Sequence, residues 1–540
     1  MSFMQNRVFR PSVSVLSLLA LLGVIVVVLF AALGSPLKDD IAWLLYVARR
    51  WMAGRELYVD VVEVNPPMIV WLSVLPLTLA RWLDVGPQYV AMPGFVAAVL
   101  GCAWWSACLL KARQGVFALR APVFAAIGCV LLLVPAADLG QREHLLVAAF
   151  LPYLILFAQT LDRRALDRRA LDGARVPVPA SLIAGVIAAL GCALKPQYGL
   201  VLAVLEGVAL THRIRPWRVA PFTAGLVLAG YVGLVAWLCP AYLRRAVPLA
   251  MALYGATDVP FTALLRDSAP LLAAEALALV LWWRHRRDLP GAKLLLTGCA
   301  FAITSSVICF IDGKDWFYHR LPATVVTVLT LMLWAAATMR HSPLDRTPKR
   351  ALAVAGFAMV LFAFSAAQRL EAEVREAVEP RQTTVARLEQ LIRREHARTY
   401  VAFSEWIALG FPVVNNTGVL WASRFDSMWA LKGEIWRARF DPATAREWPV
   451  ARWVTHDFIA GCPDIAVVDT RETLNYIAVL SASEPSFGRA WSRYRPIASF
   501  DGLTVYRRGK GGCVDPWIAA QAQPPGLAPG QAAEAGGVVR

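Results

Sequence analysis

Charge is scarce in this chain. Asp, Glu, Lys and Arg together make up 17% of its 540 residues, against about a quarter in an ordinary soluble domain. That shortage excludes a soluble enzyme and a free nucleic-acid binder. Cysteine is sparse too, at nine residues, and seven of them precede residue 310, mostly inside apolar runs where they pack as small hydrophobes. A secreted disulfide scaffold is thereby excluded. Only Cys462 and Cys513 stand in polar sequence, where an oxidising compartment would allow them to pair. No Walker loop, dinucleotide fingerprint, zinc-ligand spacing or Gly-x-Ser-x-Gly elbow occurs.

What the chain has in excess is apolar sequence. Its hydrophobic fraction is 58% and its mean hydropathy +0.52. Runs such as Val13 to Leu33 and Val219 to Leu238 are long enough to cross a bilayer as helices. The net charge of +16 is uneven: 33 of the 54 basic and 19 of the 38 acidic groups lie in the first 367 residues. A basic excess confined to the membrane part is the mark of cytoplasmic loop bias, not of nucleic-acid binding.

The arginines set the expected topology. Arg7 and Arg10 precede a first apolar run that reads as an uncleaved anchor. Later basic blocks are Lys111–Arg120, Arg163–Arg175, Arg213–Arg218, Arg284–Lys293 and Arg340–Arg350. With all of them cytoplasmic, short outer loops fall near residues 136–142, 195–198, 240–259 and 312–322. Three apolar stretches, 12–33, 66–83 and 88–110, lie between Arg10 and Lys111, and an odd number would reverse the sides. The middle one carries Pro66, Pro67, Pro76, Arg81 and Asp84, and is read as an interfacial or re-entrant helix. The expectation is a polytopic α-helical membrane protein of about eleven spans. Residues 34–87 and everything after a last span at 351–367 are then outside. Arg244 and Arg245 break the positive-inside pattern, as interface anchors or anion ligands.

Residues 1–367 thus form the membrane domain and 368–510 an outer domain. Short strand-like runs there, at Tyr400–Phe403, Ile465–Val468 and Leu503–Tyr506, alternate with helical patterns and predict a small α/β fold. Leu161 to Arg175 is a tandem repeat (LDRRALDRRALDGAR) that reads as a solvated helix. Residues 511–540, rich in Gly, Pro, Ala and Gln, read as disordered.

The first outer loop opens on Lys38-Asp39-Asp40. A helix follows, with apolar residues at Ile41, Leu44, Leu45, Ala48, Trp51 and Met52, one face suited to the membrane surface. Gly54 is its natural stop. One aspartate of the pair is accounted for as an N-cap. The second is not, and a carboxylate held near lipid can act as a base or hold a cation.

This loop, with Tyr58-Val59-Asp60 and Glu63-Val64-Asn65-Pro66-Pro67 after Gly54, resembles the GT-C superfamily of integral-membrane glycosyltransferases. The likeness is to the branch of the protein O-mannosyltransferases and the lipid A aminoarabinose transferase, and it covers roughly residues 1–340. It implies a polyprenyl-phosphate sugar as donor and a catalytic acid in the first outer loop, which Asp39 matches by its distance to Gly54. Asp40 stands beside it, and Glu63 is carried over as a substrate contact. Where the aminoarabinose branch has a lysine before the proline, this chain has Asn65.

In Asp138-Leu139-Gly140-Gln141-Arg142-Glu143-His144, the family's second acid is Glu143, at the mouth of a span, with Asp138 the other choice. Arg142 offers either a simple ion pair. Lys195, in the minimal turn Leu194-Lys195-Pro196-Gln197, suits the leaving phosphate or simple snorkelling. The richest segment is Asp312-Gly313-Lys314-Asp315-Trp316-Phe317-Tyr318-His319-Arg320. Lys314, His319 and Arg320 offer phosphate donors, and Trp316 and Tyr318 offer rings for a sugar or for an aromatic belt. One histidine is too few for a firm metal site; the only cofactor expected is a divalent cation shared by Asp39 and Glu143.

These readings converge on a glycosyltransferase of the outer (periplasmic) face of a bacterial cytoplasmic membrane. It would move a sugar, with inversion, from a polyprenyl-phosphate donor to an envelope glycan, lipid or protein. Its expected partners are that donor, the bilayer and the acceptor, with no nucleic acid. The alternative is a lipid-linked glycan transporter or polymer-assembly protein, for which Glu206 and Glu275, inside apolar spans, are the best support. Phe411–Asn416 and Trp421–Trp429 suit a glycan surface or, equally, ordinary core and turns.

Overall fold

The apolar runs fold as helices because a backbone surrounded by lipid must satisfy its own hydrogen bonds. The computed structural model describes residues 12–111, 120–166, 177–341 and 349–509. The 161–175 repeat beyond Leu166, the 511–540 tail and Cys513 lie outside the described residues. The first helices are α1 (Val13–Gly34), α2 (Asp39–Met52), α3 (Pro67–Leu83), α4 (Gln88–Lys111) and α5 (Arg120–Leu133). Next come α6 (Arg142–Leu166), α7 (Val178–Leu194), α8 (Gly199–Thr211), α9 (Val219–Leu238) and α10 (Val247–Leu253). Then follow α11 (Phe261–His285), α12 (Ala292–Asp312), α13 (Phe317–His341), α14 (Lys349–Val378) and α15 (Thr384–Arg394).

Two compact units divide the chain. One comprises Met1–Leu37, Asn65–Pro240 and Asp258–Pro380; the other comprises Lys38–Val64, Ala241–Thr257 and Arg381–Arg540. In the first, seven helices among the described residues are long and apolar enough to cross a membrane: α1, α4, α6, α9, α12, α13 and α14. α3, α5, α7 and the 196–211 segment are shorter apolar helices. At the centre lies α6, 83% of whose apolar window is buried, against 11% for α14. Leu146, Phe150 and Leu154 of α6 share one core with Phe301 of α12 and Leu321 and Val325 of α13. Small residues allow close approach, as lipid offers no hydrophobic drive between helices. A Cβ on Gly185 of α7 would lie 2.5 Å from the Ala220 carbonyl of α9. Outward-facing Phe222, Trp237, Phe357 and Phe364 are exposed, the pattern of a lipid-facing exterior.

The second unit carries a five-stranded sheet in the order β2-β1-β3-β5-β4. β1 (Thr399–Phe403) pairs parallel with β2 (Leu420–Trp421) and with β3 (Ile465–Asp469). β5 (Leu503–Arg508) is antiparallel to β3 and forms a hairpin with β4 (Tyr494–Phe500). The expected strands at 400–403, 465–468 and 503–506 are present; β2 and β4 are additions. β4 is exposed over much of its length, with Tyr494 buried, and carries Pro496, as befits an edge strand. Cys462 is disulfide-bonded.

α2 ends as its sequence predicts. Gly54 has φ +84°, and Arg55 N–H returns to the Arg50 carbonyl at 3.1 Å, a glycine-based stop. Its body differs from the one-faced surface helix expected. Ile41 to Ala48 are all buried, because the helix is covered on more than its apolar stripe. Trp43 meets Phe411 edge-on and Tyr46 meets it at a tilt, each with centroids 4.9 Å away, and Asn415 donates to the Ala42 carbonyl at 2.7 Å. Residues 411–416 therefore serve as core and turn.

Candidate functional site

In the helical unit the site is built where α6, α7, α12 and α13 begin or end. Gly140 has φ +86°, and a Cβ there would stand 2.3 Å from the Phe95 ring, so only glycine makes this turn. It delivers Gln141, Arg142 and Glu143 to the start of α6, all buried. His144 locks the turn: Gly140 N–H donates to its Nδ1 at 3.1 Å, and its Nε2 reaches the Leu131 carbonyl at 2.8 Å. That pattern fixes the neutral tautomer with the proton on Nε2. His144 is structural.

Lys195 caps the end of α7, and its Nζ lies 2.8 Å from Glu143 Oε1. Both side chains are nearly closed to solvent, at 11% and 1% exposure. The pair leaves Glu143 Oε2 buried without a hydrogen bond. Arg142 and His319 stand within electrostatic reach of the same carboxylate. A second chain of contacts joins the loops: Gln197 Nε2 donates to Asp312 Oδ2 at 3.3 Å, and Asp312 Oδ2 lies 3.1 Å from His319 Nδ1. Glu143, Lys195 and His319, remote in sequence, are thus gathered at one end of the helices.

The segment 312–320 is tighter than its sequence implies. α12 ends at Asp312 and α13 starts at Phe317, so Tyr318, His319 and Arg320 are in the first turn of a helix. Trp316, Tyr318 and His319 stack, with Tyr318 and His319 centroids 4.7 Å apart. Trp316 is 40% exposed. Lys314 is buried against Asp258, its ion-pair partner. Arg320 donates to the carbonyls of Asp267 and Asp315 at 2.7 and 2.8 Å. Structure therefore separates the cations that sequence grouped: Lys195 and His319 belong to the Glu143 network, Lys314 and Arg320 do not.

In the sheet-bearing unit the acids crowd one another. Lys38, not an aspartate, is the N-cap of α2. Asp39 Oδ1 instead accepts the Asp40 N–H at 2.9 Å. Burial raises the Asp39 pKa; Lys38, 3.6 Å away, opposes this, and Asp40 adds to it. Glu63 is buried and accepts the Trp43 indole N–H. Asp426, which sequence inspection did not single out, accepts the Trp429 indole N–H at 2.9 Å. Burial, with Glu63 and Asp40 nearby, pushes its carboxyl up to about 8. Its only sequence signal was its position within Trp421–Trp429. Among the described residues no three His, Cys, Asp or Glu converge as a metal set.

The acids of the alternative reading are bonded within the helices. Glu206 pairs with Arg218 and accepts from Tyr153 at 3.5 Å; Glu275 accepts from Ser306 at 2.6 Å.

No protein-family model matches this chain, and no curated protein does. Among solved structures it matches ArnT from Cupriavidus metallidurans, crystallised with undecaprenyl phosphate, at 13% identity and a TM-score of 0.51. The match covers 92% of this chain and 98% of that one. At such low identity the likeness speaks for architecture: this chain has the ArnT fold.

Proposed function

We propose that the protein is a glycosyltransferase that takes a sugar from a polyprenyl-phosphate donor. It would act at the periplasmic face of a bacterial cytoplasmic membrane, with inversion at the anomeric carbon. The observation that carries this reading is the buried Glu143–Lys195 pair with an open carboxylate oxygen, in a chain whose fold matches a protein crystallised with undecaprenyl phosphate.

The roles follow from charge. Asp39, its proton affinity raised by burial, takes the proton of the acceptor hydroxyl, and Asp40 strengthens it as a base. The freed oxygen bonds to the anomeric carbon as the bond from that carbon to the phosphate oxygen breaks. The electron pair leaves on the polyprenyl phosphate. Lys195 neutralises that leaving group, Glu143 holds Lys195 in place, and His319, oriented by Asp312, lines the same network. The exposed Trp316 ring, backed by Tyr318, offers a stacking face to the sugar, and Glu63 supports the acceptor side.

The test is sugar transfer in proteoliposomes with mixed polyprenyl-phosphate sugars and a crude envelope acceptor. Asp39→Asn keeps the side chain's size and its bond to Asp40 N–H but removes the charge. The expected loss is about 10²- to 10⁴-fold. Equal transfer by both proteins would reduce Asp39 to a helix-start residue. Absence of transfer from every donor would favour the lipid-linked glycan transporter.

A further inference from the structure

A second cluster of cations lies in the helical unit, away from the Glu143 network. His319 and Arg320 are consecutive residues of α13, so their side chains diverge by about 100° around the helix. His319 turns to Asp312, and Arg320 turns to the Asp267 carbonyl of α11. Arg320 lines a cavity of about 590 Å³ between α11, α13 and α14, and Arg369 lines it too. The Arg369 guanidinium lies 3.5 Å over the Phe317 ring and donates to the Val134 carbonyl at 2.7 Å and to Ser365 Oγ at 3.2 Å.

Both guanidinium groups are held mainly by neutral acceptors, and the Nε of each is buried without a hydrogen bond. Two fixed positive charges with orphaned donors, one facing the other in an apolar setting, are costly unless an anion completes them. Asp267 also lines the cavity, but its carboxylate takes Arg266 Nε at 3.2 Å. Asp138 offsets part of the Arg369 charge. The other walls are apolar, among them Leu271 and Leu277 of α11 and Phe357 and Leu361 of α14. Phe357 is 65% exposed on the outward side of α14, so the groove opens where lipid chains lie.

We infer that this groove is a binding site for a phosphate-headed membrane lipid, its phosphate on Arg320 and Arg369 and its chain along α11 and α14. A guanidinium pair suits phosphate oxygens, and the walls suit a hydrocarbon chain arriving sideways from the bilayer. This site is separate from the Lys195–His319 network and stands whether or not the transferase reading holds.

The test is native mass spectrometry of the full chain in detergent with dioleoylphosphatidic acid, dioleoylglycerol or inorganic phosphate. Wild type is expected to retain phosphatidic acid and neither of the others. Arg369→Gln should lower that retention at least tenfold, the loss of a charge-assisted contact. Ala358→Trp, which fills the groove and leaves its charges alone, should do the same. If Arg369→Gln does not fold, Ala358→Trp decides. Equal retention of phosphatidic acid by the variants overturns the proposal. So does retention of dioleoylglycerol as strong as that of phosphatidic acid, which would mean a greasy groove without phosphate recognition. Retention of inorganic phosphate alone would mean a soluble-anion site and overturns it as well.

Discussion

The two units handle buried carboxylates in opposite ways. In the helical unit Glu143 is taken out of water next to Lys195, with Arg142 and His319 close by. In the sheet-bearing unit Asp426 is taken out of water next to other acids, Glu63 and Asp40. The first arrangement keeps a charge by compensating it. The second keeps a proton, because burial disfavours the ionised form and the neighbouring carboxylates add to that. One chain thus contains a fixed charge pair and a carboxylic acid that stays neutral near physiological pH.

Removing one partner of the compensated pair breaks that contrast most severely. Lys195→Met leaves Glu143 buried with only its weaker neighbours, and it should cost about 3 kcal/mol of stability or more. The double variant Glu143→Gln, Lys195→Met should recover to within about 1 kcal/mol of wild type, since paired charges and apolar replacements are nearly equivalent. Thermal unfolding in detergent micelles reads both. A loss under about 1 kcal/mol for the single variant would mean that the pair is solvated and the contrast false.

Asp426→Asn tests the other half. The folded carboxyl titrates near 8, above its unfolded value of about 3.9. Its contribution to stability is therefore complete below about pH 4 and is lost as pH climbs toward 8, by up to about 1.4 kcal/mol per unit. Asparagine keeps the acceptor for the Trp429 indole and has no proton to lose. The variant should thus flatten the decline in melting temperature between pH 4 and pH 8, and should match or exceed wild type above pH 7. Parallel pH profiles for the two proteins would remove Asp426 from the comparison.

Why one cluster was legible in the sequence and the other was not follows from where each charge lies. Glu143 and Lys195 border long apolar runs, where an ionisable group is conspicuous because lipid makes it expensive. Asp426 lies in ordinary mixed sequence. Its character comes first from burial and then from Glu63 and Asp40, far away in the chain, and only folding supplies either. Arg369 was hidden the same way: it falls just inside the 368–510 stretch assigned to the outer domain, while the structure turns it onto Phe317 and Val134. Among the strands, β1, β3 and β5 announced themselves as short β-branched or aromatic runs. β2, at two residues, is shorter than any pattern, and the Pro496 in β4 argued against a strand. Gly54 was readable because the left-handed stop of a helix needs that one residue type.

Glu63→Gln gives the smallest expected effect and the sharpest reading of cause. Burial is the largest influence on Asp426, and the Glu63 charge comes second. Glutamine retains an oxygen for the Trp43 indole, so the packing of α2 against this segment persists. Removing the Glu63 charge alone should lower the pH at which Asp426 gives up its proton without returning it to the ordinary carboxylate range. The decline of stability with pH should then end earlier, and the net gain at pH 7 should be about 1 kcal/mol. If the profile instead stays that of wild type, burial alone sets the Asp426 proton. The crowding of like charges would then be incidental, and the two units would differ in one respect only: whether a cation is at hand when a carboxylate is buried.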